Sequence, residues 1–287
     1  MTKPGKAAIA RRRVLGLVAA VGVAAGGKVW AQPASGQGLL AKLQAEKKAR
    51  VGIANQIPYS ALNPDGSITG AAPDVTKAIM TRLGVPALEG FIATYGQLIP
   101  GMQAGRWDFV AASLTITKVR CGQVLFCDPL VYDGDVIVAL KETQPAPTTR
   151  IADLAKLGVT VGCQAGGADY RAIIAAGVSP DNIRQFTNDP AIMDGVQAKR
   201  VQYAVMSNSP ARALIVQRNL DLQVAYPVED VEALGSGCAF RKEDTDLYGA
   251  YQKELRAMRA SGELKEILAK YGFELPPEKM TAEFVCG

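Results

Sequence analysis

From residue 50 to residue 120 the apolar side chains alternate between strand spacing and helix spacing. Residues 50–54 read as a strand, Asn63-Pro64-Asp65-Gly66 as a turn, and Pro73 opens a helix with Val75, Ile79, Met80 and Leu83 on one face. A strand over 88–93, a helix over 97–104, a strand over 108–112 and a short helix from Thr117 follow. A second block has strands near 159–161, 183–186, 203–205 and 222–225, with helices after Gly167, Asp189 and Ser209. Strands that alternate with helices pair in parallel beneath them, so the pattern predicts an α/β chain built as two lobes. A short internal echo suits two lobes of like construction: Gln103-Ala104-Gly105-Arg106-Trp107-Asp108 and Gln197-Ala198-Lys199-Arg200-Val201-Gln202 each read as helix end, tight turn and strand start.

Extended stretches at 131–140 and 235–240 bracket the second block. The expected organisation is lobe 1 from 49–130 and 241–287, lobe 2 from 141–234, and two crossovers between them that serve as a hinge. The tail over 244–268 carries Leu247, Tyr251, Leu255 and Met258 at helical spacing and returns to lobe 1.

Lys3, Lys6 and Arg11-Arg12-Arg13 precede an uncharged apolar run over 14–27, the form of a secretory signal peptide. The run is shorter than the roughly 20 residues a membrane-spanning helix needs. Its arginines also fit twin-arginine export, and Val29 and Ala31 suit cleavage after Ala31, leaving 32–48 as an N-terminal extension. Cleavage removes six Lys/Arg and no Asp/Glu, so 32 basic residues become 26 against 27 acidic. The whole-chain charge of +5 therefore belongs to the leader and gives no footprint for nucleic acid.

The five cysteines, Cys121, Cys127, Cys163, Cys238 and Cys286, form no CxxC pair, and the chain has no histidine to complete a mixed metal site. An oxidising compartment admits one or two disulfides; Cys121 with Cys286 is the favoured pair, while Cys127 and Cys163 read equally as buried small apolar residues.

Ligands of open α/β sheets bind beyond the carboxyl ends of the strands. There, Ser113-Leu114-Thr115-Ile116-Thr117-Lys118-Val119-Arg120 leads hydroxyls into a helix whose first turn carries an arginine, the chemistry of a carboxylate clamp. The competing reading is an N-cap threonine beside a solvent-facing arginine. Together with Val124-Leu125-Phe126-Cys127-Asp128-Pro129, this stretch resembles the signature of family 3 solute-binding proteins of ABC importers. The likeness continues through Asp65-Gly66-Ser67-Ile68-Thr69-Gly70, Tyr95-Gly96-Gln97-Leu98-Ile99-Pro100-Gly101 and Phe240-Arg241-Lys242-Glu243-Asp244. Leu88-Glu89-Gly90 and Arg120-Cys121-Gly122-Gln123-Val124 look nearest to the ectoine/hydroxyectoine-binding branch.

The resemblance implies a two-lobed, type II-like periplasmic-binding-protein fold. Each lobe is then a mostly parallel sheet flanked by helices, joined to the other by two crossover strands. A small zwitterionic solute, ectoine-like or a polar amino acid, lies between the lobes. By the same resemblance Arg120 binds its carboxylate, Ser113 belongs to the clamp stretch, Tyr59 and Tyr95 pack on it, and Thr115 hydrogen-bonds it as in the amino-acid binders. Gly166 offers a backbone N–H from the opposite lobe, and Gln56 and Asn208 stand where relatives carry carboxylates for the solute's cation. The cation is thus expected between two uncharged amides.

These readings imply a monomeric substrate-binding component in the periplasm, which hands its solute to an inner-membrane ABC permease and needs no cofactor, metal or catalytic residue. An exported enzyme of dehydratase or lyase type on the same scaffold would need an acid/base pair in the crevice, against which the missing histidine and the two amides count. An exported ligand-sensing lobe is the third class.

Overall fold

The computed structural model describes residues 38–231 and 234–287; the leader and its cleavage point lie outside them. The first lobe opens with α1 (Leu39–Glu46). Its Leu43 is fully buried and the Leu40 N–H donates to Asp246 Oδ2 at 2.8 Å. Residues 39–48 are therefore part of lobe 1 and not an extension, because three leucines on one helical turn need a core to cover them.

There follow β1 (Lys48–Ile53), the hairpin β2 (Ala61–Leu62) and β3 (Ile68–Thr69) around the expected turn, and α2 (Ala71–Arg82). Pro73 sits in the first turn of α2, where its missing N–H costs nothing, and Val75, Ile79 and Met80 are buried. Next come β4 (Ala87–Ile92), α3 (Tyr95–Gln103), β5 (Phe109–Thr115), α4 (Lys118–Cys121), β6 (Leu125–Phe126) and β7 (Val131–Asp133).

The second lobe contains β8 (Asp135–Leu140), α5 (Ile151–Leu157), β9 (Val161–Gln164), α6 (Ala168–Ala175), β10 (Ile183–Phe186), α7 (Asp189–Gln197), β11 (Tyr203–Ser207), α8 (Asn208–Gln217) and β12 (Leu222–Ala225). The chain returns through β13 (Leu234–Phe240) to α9 (Thr245–Ser261), α10 (Glu263–Ala269) and α11 (Ala282–Cys286), and α9 buries Leu247, Tyr251, Leu255 and Met258 against lobe 1.

In lobe 1 the strand order is β4-β1-β5-β13-β6, with β7 also on β13; in lobe 2 it is β10-β9-β11-β8-β12. Parallel pairing holds where strands are linked through helices, for β1 with β4 and β5 and for β9 with β10 and β11. The other pairings are antiparallel. Strands β8 and β13 enter directly from the neighbouring lobe without a helical crossover, so nothing returns them to a parallel start.

The crossovers are also shorter than expected. Within 131–140, β7 pairs in the first sheet and β8 in the second, so the chain crosses at Gly134. Likewise β13 lies wholly in the first sheet. An unpaired extended segment leaves its backbone N–H and C=O groups unsatisfied, and joining a sheet removes that cost. In lobe 2 the two-residue period divides the core: Ile137, Cys163 and Tyr203 face one side of the sheet, Val138, Ala204 and Met206 the other.

A disulfide joins Cys121 of α4 to Cys286 of α11, with the Cα atoms 5.6 Å apart. Cys127, Cys163 and Cys238 are free and buried.

Candidate functional site

Between the lobes lies a cavity lined from lobe 1 by Gln56, Tyr59, Tyr95, Ser113, Thr115 and Arg120, all six anticipated from the sequence. Facing them are Asp133, Gly134 and Asp135 of the crossing and Gln164, Gly167 and Ser207 at the ends of lobe 2 elements.

Ser113 sits in β5 with φ 48°, a left-handed conformation uncommon for a non-glycine residue. Its Oγ is buried with no hydrogen-bond partner among the described residues. Leaving a hydroxyl so costs about 1–3 kcal/mol, which a polar group entering the cavity would recover.

Arg120 is only 7% exposed. Nη1 donates to the Thr115 carbonyl at 2.8 Å and Nη2 to the Gly166 carbonyl at 3.0 Å, so the guanidinium touches both lobes and keeps further N–H donors for the cavity. Burial, reinforced by Arg171, pulls its pKa down to about 10, which still leaves a cation at neutral pH. Thr117 caps α4, accepting from the Arg120 N–H at 3.3 Å, so the N-cap reading is right about the threonine. It is wrong about the arginine, which is not solvent-facing. Helix α4 has four residues and a capped start, so the clamp rests on the guanidinium and not on a helix dipole.

Gln56 is not free to meet a cation. Its Oε1 accepts from Tyr95 Oη at 2.5 Å, and its Nε2 donates across the cleft to Asp189 Oδ2 at 2.5 Å. Asn208 lies outside the cavity lining: its Oδ1 accepts from Arg212 Nε at 2.6 Å and its Nδ2 donates to Asp133 Oδ1 at 3.3 Å. Tyr59 donates to Asp133 Oδ2 at 2.6 Å and stacks on Phe273 with ring centroids 5.6 Å apart, so one of its faces is already covered. Both amides expected to flank a cation are thus engaged within the protein, and the carboxylates in the described cavity lining are Asp133 and Asp135. Asp133 and Asp135, two residues apart on either side of Gly134, escaped the sequence reading, where 131–140 figured only as an extended stretch. An Asp-Gly-Asp step inside an apolar strand run was the available signal.

Gly166 offers its carbonyl to Arg120, where the sequence suggested an N–H aimed at the solute, and it is Gly167 that lines the cavity. Gly166 has φ +73°, and a Cβ there would lie 2.5 Å from Gly96 backbone atoms of lobe 1. Backbone meets backbone at this point. Gly166→Ala is expected to hold the lobes apart and weaken solute binding by at least about tenfold, with about 1–2 kcal/mol of stability also lost because a Cβ is disfavoured at this left-handed φ. Titration calorimetry beside small-angle scattering checks this; native affinity in the variant would show that closure does not use the contact.

Two further carboxyls lie behind the lining. Burial, then Asp189, push Asp169 up to about 7; burial pushes Asp189 up to about 6, opposed by its bond to Gln56. The folded protein therefore holds more protons than the unfolded chain from about pH 4 to pH 7, so stability from this pair is present at the acid end and lost as pH rises through 6 and 7. The melting temperature of ligand-free protein should be higher at about pH 5 than at about pH 8 on this account. A flat profile in differential scanning calorimetry would contradict it.

The family model described as bacterial extracellular solute-binding proteins, family 3, matches residues 49–274. A probable amino-acid ABC transporter periplasmic-binding protein of Sinorhizobium fredii is 28% identical over 291 residues, which cover 96% of this chain and 95% of that protein. The crystal structure of EhuB in complex with hydroxyectoine is similar at TM-score 0.82 and 31% identity, over 87% of this chain and 98% of that one. An ancestral amino acid-binding protein, described as a precursor of cyclohexadienyl dehydratase, reaches TM-score 0.70 at 28% identity over 81% and 98% of the two chains. With the match spanning both lobes and the cavity between them, the chain belongs to the bacterial extracellular solute-binding proteins of family 3.

Proposed function

We propose that this chain is the substrate-binding component of an ABC importer, which closes on a small zwitterionic solute and delivers it to a membrane permease. The observation that carries the reading is the buried Arg120 guanidinium, held to both lobes with donors to spare, in the same cavity as the orphaned Ser113 hydroxyl. A carboxylate entering there gains a bidentate partner in a desolvated site and satisfies the serine. Tyr95, Tyr59 and Thr115 complete the contact surface. Relatives named as periplasmic binding proteins support action in the periplasm.

The test is a thermal-shift panel of amino acids, ectoines and betaines on the purified protein. A ligand at a hundredfold excess over its dissociation constant adds about 2.7 kcal/mol, a readily measured shift. No shift with any member would sink the reading. Because the Asp169 carboxyl behind the cavity lining is pushed up to about 7, the absence of chemistry is tested too: solute recovered from denatured complex should have unchanged mass.

A further inference from the structure

Among the described residues, the cavity lining holds one cationic side chain, Arg120, against two carboxylates, Asp133 and Asp135. Once a solute's carboxylate sits on Arg120, both aspartates remain to be answered, and they are not equivalent. Asp133 accepts from Tyr59 Oη at 2.6 Å, the Ser209 N–H at 2.9 Å, the Gly134 N–H at 3.0 Å and Asn208 Nδ2 at 3.3 Å. A carboxylate offers about four lone-pair directions, and all four are in use. Asp135 lines the same cavity and its carboxyl receives no hydrogen bond from the described residues. The unpartnered Ser113 hydroxyl, 3% exposed, marks the same cavity as one built to receive polar groups.

We propose that Asp135 receives the solute's cationic group, and that this group carries N–H donors, as in an ammonium, amidinium or guanidinium, rather than a quaternary nitrogen. The inference rests on the solute-binding reading above and narrows it. A methylated ammonium has no hydrogen to give and draws its affinity from aromatic faces around it. Here Tyr59 and Tyr95 are the aromatic side chains of the described lining, and Tyr59 has one face on Phe273, so no aromatic cage encloses the site. A carboxylate with unused acceptors instead rewards a donor cation through a short, charge-assisted hydrogen bond.

A proton competes for the same place. Burial, then Asp169 on α6 and Asp133 on β7, raise the Asp135 carboxyl well above the ordinary range. Asp169 in turn feels Asp189 on α7 and Arg120 on α4, and Arg120 feels Arg171 on α6. An entering cation favours the ionised carboxylate and expels the proton, so affinity should strengthen as pH rises through the value in the free protein and weaken below it.

Wild-type protein is first tested by thermal shift and calorimetry with glycine, γ-aminobutyrate and L-lysine beside their trimethylammonium counterparts, and with ectoine and L-arginine. If no probe binds, the solute-binding reading fails and this proposal with it. If probes bind, N–H cations should be preferred over methylated partners by more than about tenfold, and should bind several-fold tighter at about pH 8 than at about pH 5.5. Equal or better binding of the trimethylammonium forms overturns the proposal and leaves the reading intact. Asp135→Asn should weaken the best N–H cation by more than about tenfold and flatten its pH dependence. Its ligand-free melting temperature should be at or above wild type, because a half-buried carboxyl without a hydrogen-bond partner among the described residues is removed. Undiminished affinity in that folded variant would show that another group holds the cation.

Discussion

Replacing Arg120 with alanine is expected to weaken solute binding by about 2–5 kcal/mol while changing the stability of the empty protein by less than about 1 kcal/mol. The two effects separate for a physical reason. In the empty protein the guanidinium is desolvated, a cost visible in its lowered pKa, and its two bonds to the Thr115 and Gly166 carbonyls recover only part of it. In the complex the same donors meet a full negative charge, and truncation leaves that charge buried and unpaired. Arg120→Lys should restore only part of the affinity, since an ammonium lacks the planar fork that grips two oxygens and cannot also hold both backbone carbonyls. Calorimetry on the three proteins reads the loss directly. Near-native affinity in the alanine variant would show that Arg120 is not the clamp.

The second large effect is on stability. The Cys121–Cys286 bridge spans a sequence separation of 165, so in the chain-entropy view it removes a long loop from the unfolded ensemble, worth about 5 kcal/mol at most; bridges of this kind deliver about 2–5 kcal/mol in practice. Cys121→Ser with Cys286→Ser should lower the melting temperature by several degrees at least, and a reductant should do the same to the wild type and nothing further to the double variant. Binding should suffer too. Cys121 is the last residue of α4, and Arg120 precedes it on a helix of four residues that cannot hold its own geometry. Anchoring α4 to α11 is therefore expected to position the guanidinium. Equal melting curves with and without reductant would show that the bridge contributes nothing.

Much of the architecture was legible because it depends on near neighbours. The strands expected at 183–186 and 222–225 are β10 and β12, and the helix face of Val75, Ile79 and Met80 is buried. In each case a two-residue or 3.6-residue period decides which side chains share a face, whatever else the chain does. The same logic put Ser113, Thr115 and Arg120 at one strand end, and a strand end in an α/β sheet is where a crevice opens. The family signature carried the two tyrosines and the overall architecture.

What local spacing could not decide was the direction of the crossover strands and the partners of the polar side chains around the cavity. Strands β8 and β13 are antiparallel because of where they enter from, and this is a fact about the other lobe, not about their own residues. Gln56 looked free for a cation until closure set it against Asp189, a residue 133 positions away, and Asn208 until Arg212 and Asp133 claimed its amide. Asp133 and Asp135 read as part of a strand, and only the crossing at Gly134 turns both towards the cavity. Backbone period is fixed within a few residues of chain, whereas the partner of a polar side chain is chosen by whatever the closed fold brings within three ångströms or so of it.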